Sequence, residues 1–369
     1  MSLLRSLDIH FTIRVEGIPP DLAFLGPTVR GLLGYGLRQS CCGHDADDGG
    51  RCALGEACAY SYLFEGPVQQ RMHADQLELK ALPQPFLTLV APPHERRADP
   101  RRVTFGYRLF GNATDLAAEV ATALFAREQF GFGARSCGYT VESIAIEHTT
   151  IWTRLADPLC DAFAEQIRQQ AIRTRHIASA NVGVAPTVPP ANSTLVWRFY
   201  TPLSIGAPVR CQSKWTERLL DAACRRKWLL ERAYGDQYAR QRSIPRAMDA
   251  SAFETVESSV APFRFERRST RHGAVVQLQG DLGTVSIHGP WDQHVELLAS
   301  IARYGLGQST TFGFGRVEFE VARVQTAATT PATSSTLRAQ SRAALPRWVR
   351  LRGAPPTKPR VSSSPPDHK

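Results

Sequence analysis

An α+β chain of two like halves is predicted by three observations. The same order of elements occurs twice, a proline-rich break separates the two occurrences, and each ends in a glycine-rich turn before a last strand. The first half opens on Leu7–Val15, where apolar residues alternate as in a half-buried strand. Gly26-Pro27 introduces a helix over Pro27–Ser40, since proline suits the first turn of a helix. Strands over Gln76–Val90 and Arg102–Phe110, a helix over Asn112–Arg127, the turn Gly131-Phe132-Gly133 and a strand over Tyr139–Ile146 complete it. Residues 152–178 read as an additional amphipathic helix joining the halves.

The second half repeats the order. A strand over Leu195–Tyr200 leads to a helix over Ser213–Tyr234, with Ser213 as N-cap and Glu217 in the first turns. Strands follow over Phe263–Arg267 and Val275–Ile287 with a turn at Gly280-Asp281, then a helix over Trp291–Tyr304. A glycine run from Gly305-Leu306-Gly307 to Gly313-Phe314-Gly315 precedes the strand Val317–Val324. Strand–helix–strand–strand–helix–strand is the ferredoxin-like arrangement shared with RNA-recognition motifs. The expected organisation is therefore two tandem ferredoxin-like (RRM-like) domains, 1–178 with a cysteine-rich insertion and 194–324 with the glycine-rich loop, joined by a linker over 179–193. Residues 325–369, rich in Thr, Ser, Ala and Pro, are expected to form a disordered basic tail, because they bury too little apolar surface to offset ordering.

Composition narrows the setting. At 369 residues and 43% apolar content the chain can fill two cores. It holds no uninterrupted run of about 18 apolar residues, so no membrane-spanning helix is expected. The opening residues lack a secretory signal pattern, so the eight cysteines point to a reducing, cytoplasmic setting with thiols or metal ligands rather than disulfides. The net charge of +10 suggests a polyanionic partner. Eight basic residues and one acid after position 329 place +7 in the tail and leave +3 for the body. A nucleic-acid site on the body must therefore come from local clusters of arginine and lysine.

The run Gly305–Arg316 follows a helix and precedes a strand, the reverse of a dinucleotide fingerprint, and no Gly-Lys-Ser/Thr is present. Such glycines allow positive φ and close backbone approach. Two readings follow: amides of Gly305, Gly307, Gly313 and Gly315 with Ser309, Thr310, Thr311 and Arg316 hold phosphates, or the run serves tight packing alone.

This C-terminal run resembles the glycine-rich loop ending the repeat-RNA-processing endoribonucleases of CRISPR systems, within the RAMP superfamily. Also similar are Val29-Arg-Gly-Leu-Leu-Gly-Tyr-Gly-Leu-Arg38, the cysteine-rich segment ending Cys58-Ala-Tyr-Ser-Tyr-Leu-Phe-Glu65, Phe199-Tyr-Thr-Pro-Leu-Ser204, Arg267-Arg-Ser-Thr-Arg271 and Leu278-Gln-Gly-Asp-Leu-Gly283, in family order over residues 29–316. The resemblance implies cleavage of CRISPR precursor RNA within its repeats, without metal or cofactor. A ribose 2′-hydroxyl attacks the adjacent phosphate and leaves 2′,3′-cyclic phosphate and 5′-hydroxyl ends. It further implies repeat or guide RNA as partner, other subunits of an interference complex, and no membrane.

Such chemistry needs a base for the hydroxyl, donors for the phosphorane and in-line positioning. The first helix offers Tyr35 as orienting donor or proton shuttle and Arg38 as phosphate contact, with His44 just beyond it as base. Arg30, Gly34 and Arg38 recur every four residues, so both arginines lie on one face. Asp45, Asp47 and Asp48 beside His44 oppose a catalytic role unless they face away. RNA contacts are also expected from Lys214, Arg225 and Arg226 on the second-half helix, and from Arg267, Arg268 and Arg271 on the nearby strand and turn. A zinc site of Cys42, Cys52 and Cys58 is the weaker alternative to free thiols, because the spacing is not a clean Cys-x-x-Cys pair. Two other function classes remain open: a non-catalytic RAMP subunit binding guide RNA, and a zinc-dependent hydrolase.

Overall fold

The computed structural model of the chain describes residues 4–17, 24–41, 57–65, 82–93, 99–133, 137–154, 163–180, 188–206, 215–235, 249–268 and 274–322. The proposed tail, most of the linker, the Ser213 cap and the Gln76–Ala81 part of the second predicted strand lie outside these residues. No described helix is long and apolar enough to cross a membrane.

The first half is a five-stranded antiparallel sheet of β1 (Ser6–Val15), β2 (Phe86–Leu89), β3 (Arg102–Phe110), β4 (Tyr139–Ile146) and β5 (Thr149–Thr153), in the order β2-β3-β1-β4-β5. Leu7, Ile9, Phe11, Ile13 and Val15 alternate along β1 and are all buried. They pack beneath the helices α1 (Gly26–Cys41) and α2 (Ala117–Arg127). The second half is a four-stranded antiparallel sheet of β6 (Ser193–Leu203), β7 (Glu254–Arg268), β8 (Val275–Gly289) and β9 (Val317–Val321), in the order β7-β8-β6-β9. Its helices are α4 (Trp215–Tyr234) and α5 (Val295–Tyr304), while α3 (Phe163–Ala180) precedes it in the chain. With β5 set aside, both sheets share the strand order 2-3-1-4 and both place a helix after their first and third strands. They are two ferredoxin-like units in tandem.

Three expectations are corrected by this architecture. Gly280-Asp281 is no turn: it runs inside β8, opposite Phe263 and Pro262 of β7. A Cβ at Gly280 would stand 2.9 Å from the Leu203 carbonyl oxygen, so glycine is needed there for close strand approach. The strand predicted from Gln76 to Val90 is only Phe86–Leu89 where it is described, because Pro83 and Pro85 break the ladder before it. The joining helix does not begin at 152. Thr149-Thr-Ile-Trp-Thr153, β-branched and aromatic, adds an edge strand instead, and the helix spans Phe163–Ala180. Both second helices also open with a tight turn, Gly111–Leu116 before α2 and Trp291–His294 before α5.

The halves share a small core of Leu4, Leu87, Phe110, Leu230, Tyr234 and Tyr304, drawn from both sides of the joint. The Tyr304 hydroxyl accepts from the Leu4 amide at 3.0 Å and donates to Glu231 Oε1 at 3.3 Å, so its buried polar end is satisfied. Beside it, Arg108 of β3 clasps Asp8 of β1 with two short bonds, 2.6 and 2.7 Å. Its remaining nitrogen donates to the carbonyls of Ala302 and Arg303 at 3.0 and 2.8 Å, at the C-terminal end of α5, where helix carbonyls lack partners of their own.

The start of α1 fits against the glycine-rich loop at backbone distance. A Cβ at Gly26 would lie 1.8 Å from the Phe312 carbonyl oxygen, so any side chain there must part helix from loop. Gly26→Ala is expected to destabilise the protein by about 1–3 kcal/mol or more, read as a lower Tm. An unchanged melting curve would contradict the close fit.

A candidate nucleic-acid interface across the joint

Helix α1 carries Arg30 to the joint and Arg38 about two turns further along the same face, and the Tyr107 hydroxyl holds it by donating to the Val29 carbonyl at 2.8 Å. A π-helical turn at Ser61–Glu65, with Tyr60 just before it, sets two rings against this face. Tyr60 and Phe64 are four apart in sequence and stack at 5.1 Å with planes 8° apart. Gly34 makes room for them, since a Cβ there would stand 3.1 Å from the Phe64 ring. Phe64 also leans on buried Phe86 at 5.3 Å, and its carbonyl accepts from Gln84 at 2.6 Å.

From the second half come Phe312 of the glycine loop and Arg267 near the end of β7. Together these side chains form a ladder in which rings separate the cations, with Tyr60 and Phe64 stacked between Arg38 and Arg30. Arg38 lies 4.5 Å from the Tyr60 ring, Arg30 lies 4.8 Å from Phe64 and 4.5 Å from Phe312, and Arg267 also lies 4.5 Å from Phe312. Arg30 donates in addition to Thr311 Oγ1 at 3.3 Å and to Gln84 Oε1 at 3.4 Å. The Thr311 carbonyl in turn accepts from Thr88 of β2 at 2.7 Å.

The ladder is electrostatically incomplete. Among the described residues none of Arg30, Arg38 and Arg267 pairs with a carboxylate. Burial, then the charge of Arg267, lowers the Arg30 guanidinium to about 10, and burial lowers Arg267 as well. The Arg267 Nε is buried with no hydrogen-bond partner among the described residues. Cation–ring contacts of about 0.5–2 kcal/mol each hold the geometry but do not neutralise it. An anion with several acceptor oxygens would supply what the protein omits.

The glycine loop itself differs from the phosphate-cradle expectation. Gly305, Gly307, Gly313 and Gly315 take positive φ of 68°, 75°, 81° and 80°, as the spacing suggested. The amides of Gly305, Leu306, Gln308, Phe312, Gly313, Phe314 and Gly315 donate to backbone carbonyls, and that of Arg316 to Thr201 Oγ1. These amides hold the loop's own shape and are not open to phosphate. Thr310 is buried, and Ser309 caps the tight turn Thr310–Phe312 in a left-handed conformation. What the loop presents is its side chains, Phe312 and Thr311.

Arg226 is the other correction. It is buried inside the protein, donating to the Tyr304 carbonyl at 2.8 Å and to Thr310 Oγ1 at 2.8 Å, and burial lowers it to about 10. It braces the glycine loop from α4 and does not face a ligand. Its neighbour Arg225 is exposed. Arg316 is exposed and lies 4.2 Å over the Tyr200 ring, away from the ladder's contacts. Tyr35 is exposed on α1. His44, Lys214, Arg271, Cys42 and Cys52 lie outside the described residues, as does the Arg268 side chain. Cys58 is buried, and the Cys41 thiol is pushed up by burial. Phe64 and Phe312 join the site from within the Cys58–Glu65 segment and the glycine run, which marked the regions but gave these rings no role, and Gln84 lies outside every motif. The four-residue spacing of Tyr60 and Phe64 is a further signal in the sequence.

Tandem ferredoxin-like units, with a cation–aromatic ladder across their joint that meets no carboxylate among the described residues, define the class of this protein. A family model described as the AF_1859_N N-terminal domain matches residues 4–171, a little under half of the chain. No curated protein matches. Among solved structures the chain is similar to a Cas6 product complex, with 14% identity, coverage of 85% of this chain and 99% of that one, and a TM-score of 0.45. Another is Thermus thermophilus Cas6, at 13% identity, coverage of 87% and 100%, and a TM-score of 0.42. A RAMP protein described as binding different RNA substrates has 12% identity, coverage of 85% and 99%, and a TM-score of 0.42.

Proposed function

We propose that the protein binds CRISPR repeat RNA across the joint and cleaves it by attack of a ribose 2′-hydroxyl on the adjacent phosphate. The observation that carries the binding half is the ladder: three guanidinium groups with no carboxylate partner among the described residues, separated by rings, suit phosphates and bases together. The cleavage half rests on the motif resemblance, with His44 as base, Tyr35 as orienting donor and Arg38 on the phosphate. Arg225, Arg268, Arg271, Lys214 and Arg316 extend the phosphate track, and guide RNA retained after cleavage would link the protein to an interference complex. A cytoplasmic setting goes with this role.

The test is incubation of the full chain with hairpin-containing repeat RNA in chelator. Cleavage to cyclic-phosphate ends, blocked by a single 2′-deoxy substitution at the cut site, is the expected result. His44→Ala is expected to lower the single-turnover rate by about 10²–10⁴-fold while repeat affinity holds. Tight binding with no cleavage under any condition would leave a guide-RNA-binding subunit, and cleavage abolished by chelator would favour the zinc hydrolase.

A further inference from the structure

We propose that Tyr35, Arg127 and Phe130 form a second RNA contact, a stacking platform for an unpaired stretch of the RNA held at the ladder. The proposal rests on reading that ladder as an RNA site. Arg127 ends α2, and Phe130 ends the tight turn Glu128–Phe130 that follows it. The Arg127 guanidinium lies 5.1 Å from the Tyr35 ring and 4.8 Å from the Phe130 ring. Tyr35 is 40% exposed and Phe130 44%, and they are the only exposed large aromatic side chains among the described residues. That both meet at one arginine is the central observation.

The chemistry of the cluster points to one kind of occupant. Among the described residues Arg127 pairs with no carboxylate, and the adjacent Glu128 is engaged by Arg154 and by the Val141 amide. An apolar protein partner would cover the rings but leave this cation without a counter-charge. Single-stranded RNA brings both a flat base for each ring and phosphates for the guanidinium. Double-helical RNA keeps its bases in its own stack and cannot use the rings. The position also fits: Tyr35 lies three residues before Arg38 on α1, so the platform adjoins the end of the ladder that Arg38 and Tyr60 form.

The experiment compares equilibrium affinities of the full chain for one repeat hairpin, blunt or carrying a short oligouridine extension. The wild type is expected to prefer the extended RNA by about tenfold, the scale of one or two base–ring stacks. Phe130→Ala and Arg127→Ala are each expected to cut that preference several-fold and leave blunt-hairpin affinity unchanged. Tyr35→Phe keeps the ring and should keep the preference, whereas Tyr35→Ala combined with Phe130→Ala should erase it. Phe130→Leu, which retains apolar packing without a ring, replaces Phe130→Ala if that variant melts early. Variants that retain the full preference, or lose blunt and extended RNA equally, would overturn the platform. So would a wild type that binds the blunt hairpin and ignores the extension, while the ladder reading survived. A wild type that binds neither RNA would remove both.

Discussion

Arg30→Ala is expected to lower repeat-RNA affinity by about 10–100-fold, the scale of removing one charge-assisted hydrogen bond at a partly buried site. Arg30 is the middle cation of the ladder and the one that touches rings from both halves of the chain. Its removal also takes away the donor to Thr311 and Gln84, so the variant's melting curve must be read beside its affinity. Arg30→Lys separates the two roles, because lysine restores the charge but neither the flat stack nor the fork of donors. Partial rescue by lysine is expected. The double variant Arg30→Ala with Arg267→Ala should further flatten the fall of log affinity with log salt, by about 0.7–0.9 for each phosphate left without its cation. Equal salt slopes for wild type and double variant would place the RNA elsewhere on the protein.

Asp8→Ala is expected to destabilise the protein by about 3–5 kcal/mol, with a Tm lower by on the order of 10 °C. The variant leaves Arg108 buried without its carboxylate, at the point where the first sheet holds the end of α5. Burial pushes the Asp8 carboxyl up, but the charge and hydrogen bonds of Arg108 outweigh it and hold the group below the usual carboxylate range. A carboxyl with a lowered folded value contributes its full stability above the unfolded value near 4 and loses it as pH falls through the folded value. The stability gap between wild type and Asp8→Asn should therefore be level above about pH 5 and close in stronger acid. Glu147, raised by burial and by Asp8, has the opposite sign and relaxes when Asp8 is replaced. The gap is therefore measured in a Glu147→Gln background, which keeps the acceptor for the Asp8 amide and removes the second titration. A gap that widened in acid would contradict the clasp.

Much of this architecture was legible in local patterns. Alternation along β1, proline at the start of α1 and the recurrence of glycine turns located most elements, and the repeat order pointed to the ferredoxin-like class. The misreadings were also local in origin. Gly280-Asp281 has turn chemistry, yet the backbone needed glycine for a neighbour's carbonyl 77 positions away in sequence. At the site, the shared face of Arg30 and Arg38 followed from four-residue spacing. The second-half groups that meet Arg30 did not, because Thr311 and Phe312 reach it from the far end of the folded chain, 281 positions away for the threonine.

Arg225 and Arg226 show the division most clearly. They are adjacent and chemically identical, and helical period alone says only that they stand on neighbouring faces of one helix. Packing of α4 against the glycine loop decided that Arg226 braces Tyr304 and Thr310 from inside while Arg225 meets water. The glycines follow the same rule. Their spacing set the turns through positive φ, but the folded protein alone shows that the amides of Gly305, Gly313 and Gly315 donate to its own carbonyls. Helical and strand periods act over a few residues and are written in the chain. A hydrogen-bond partner such as Tyr304 or Thr310, 78 and 84 positions from Arg226, exists only once the second half has folded and packed its helix against the loop.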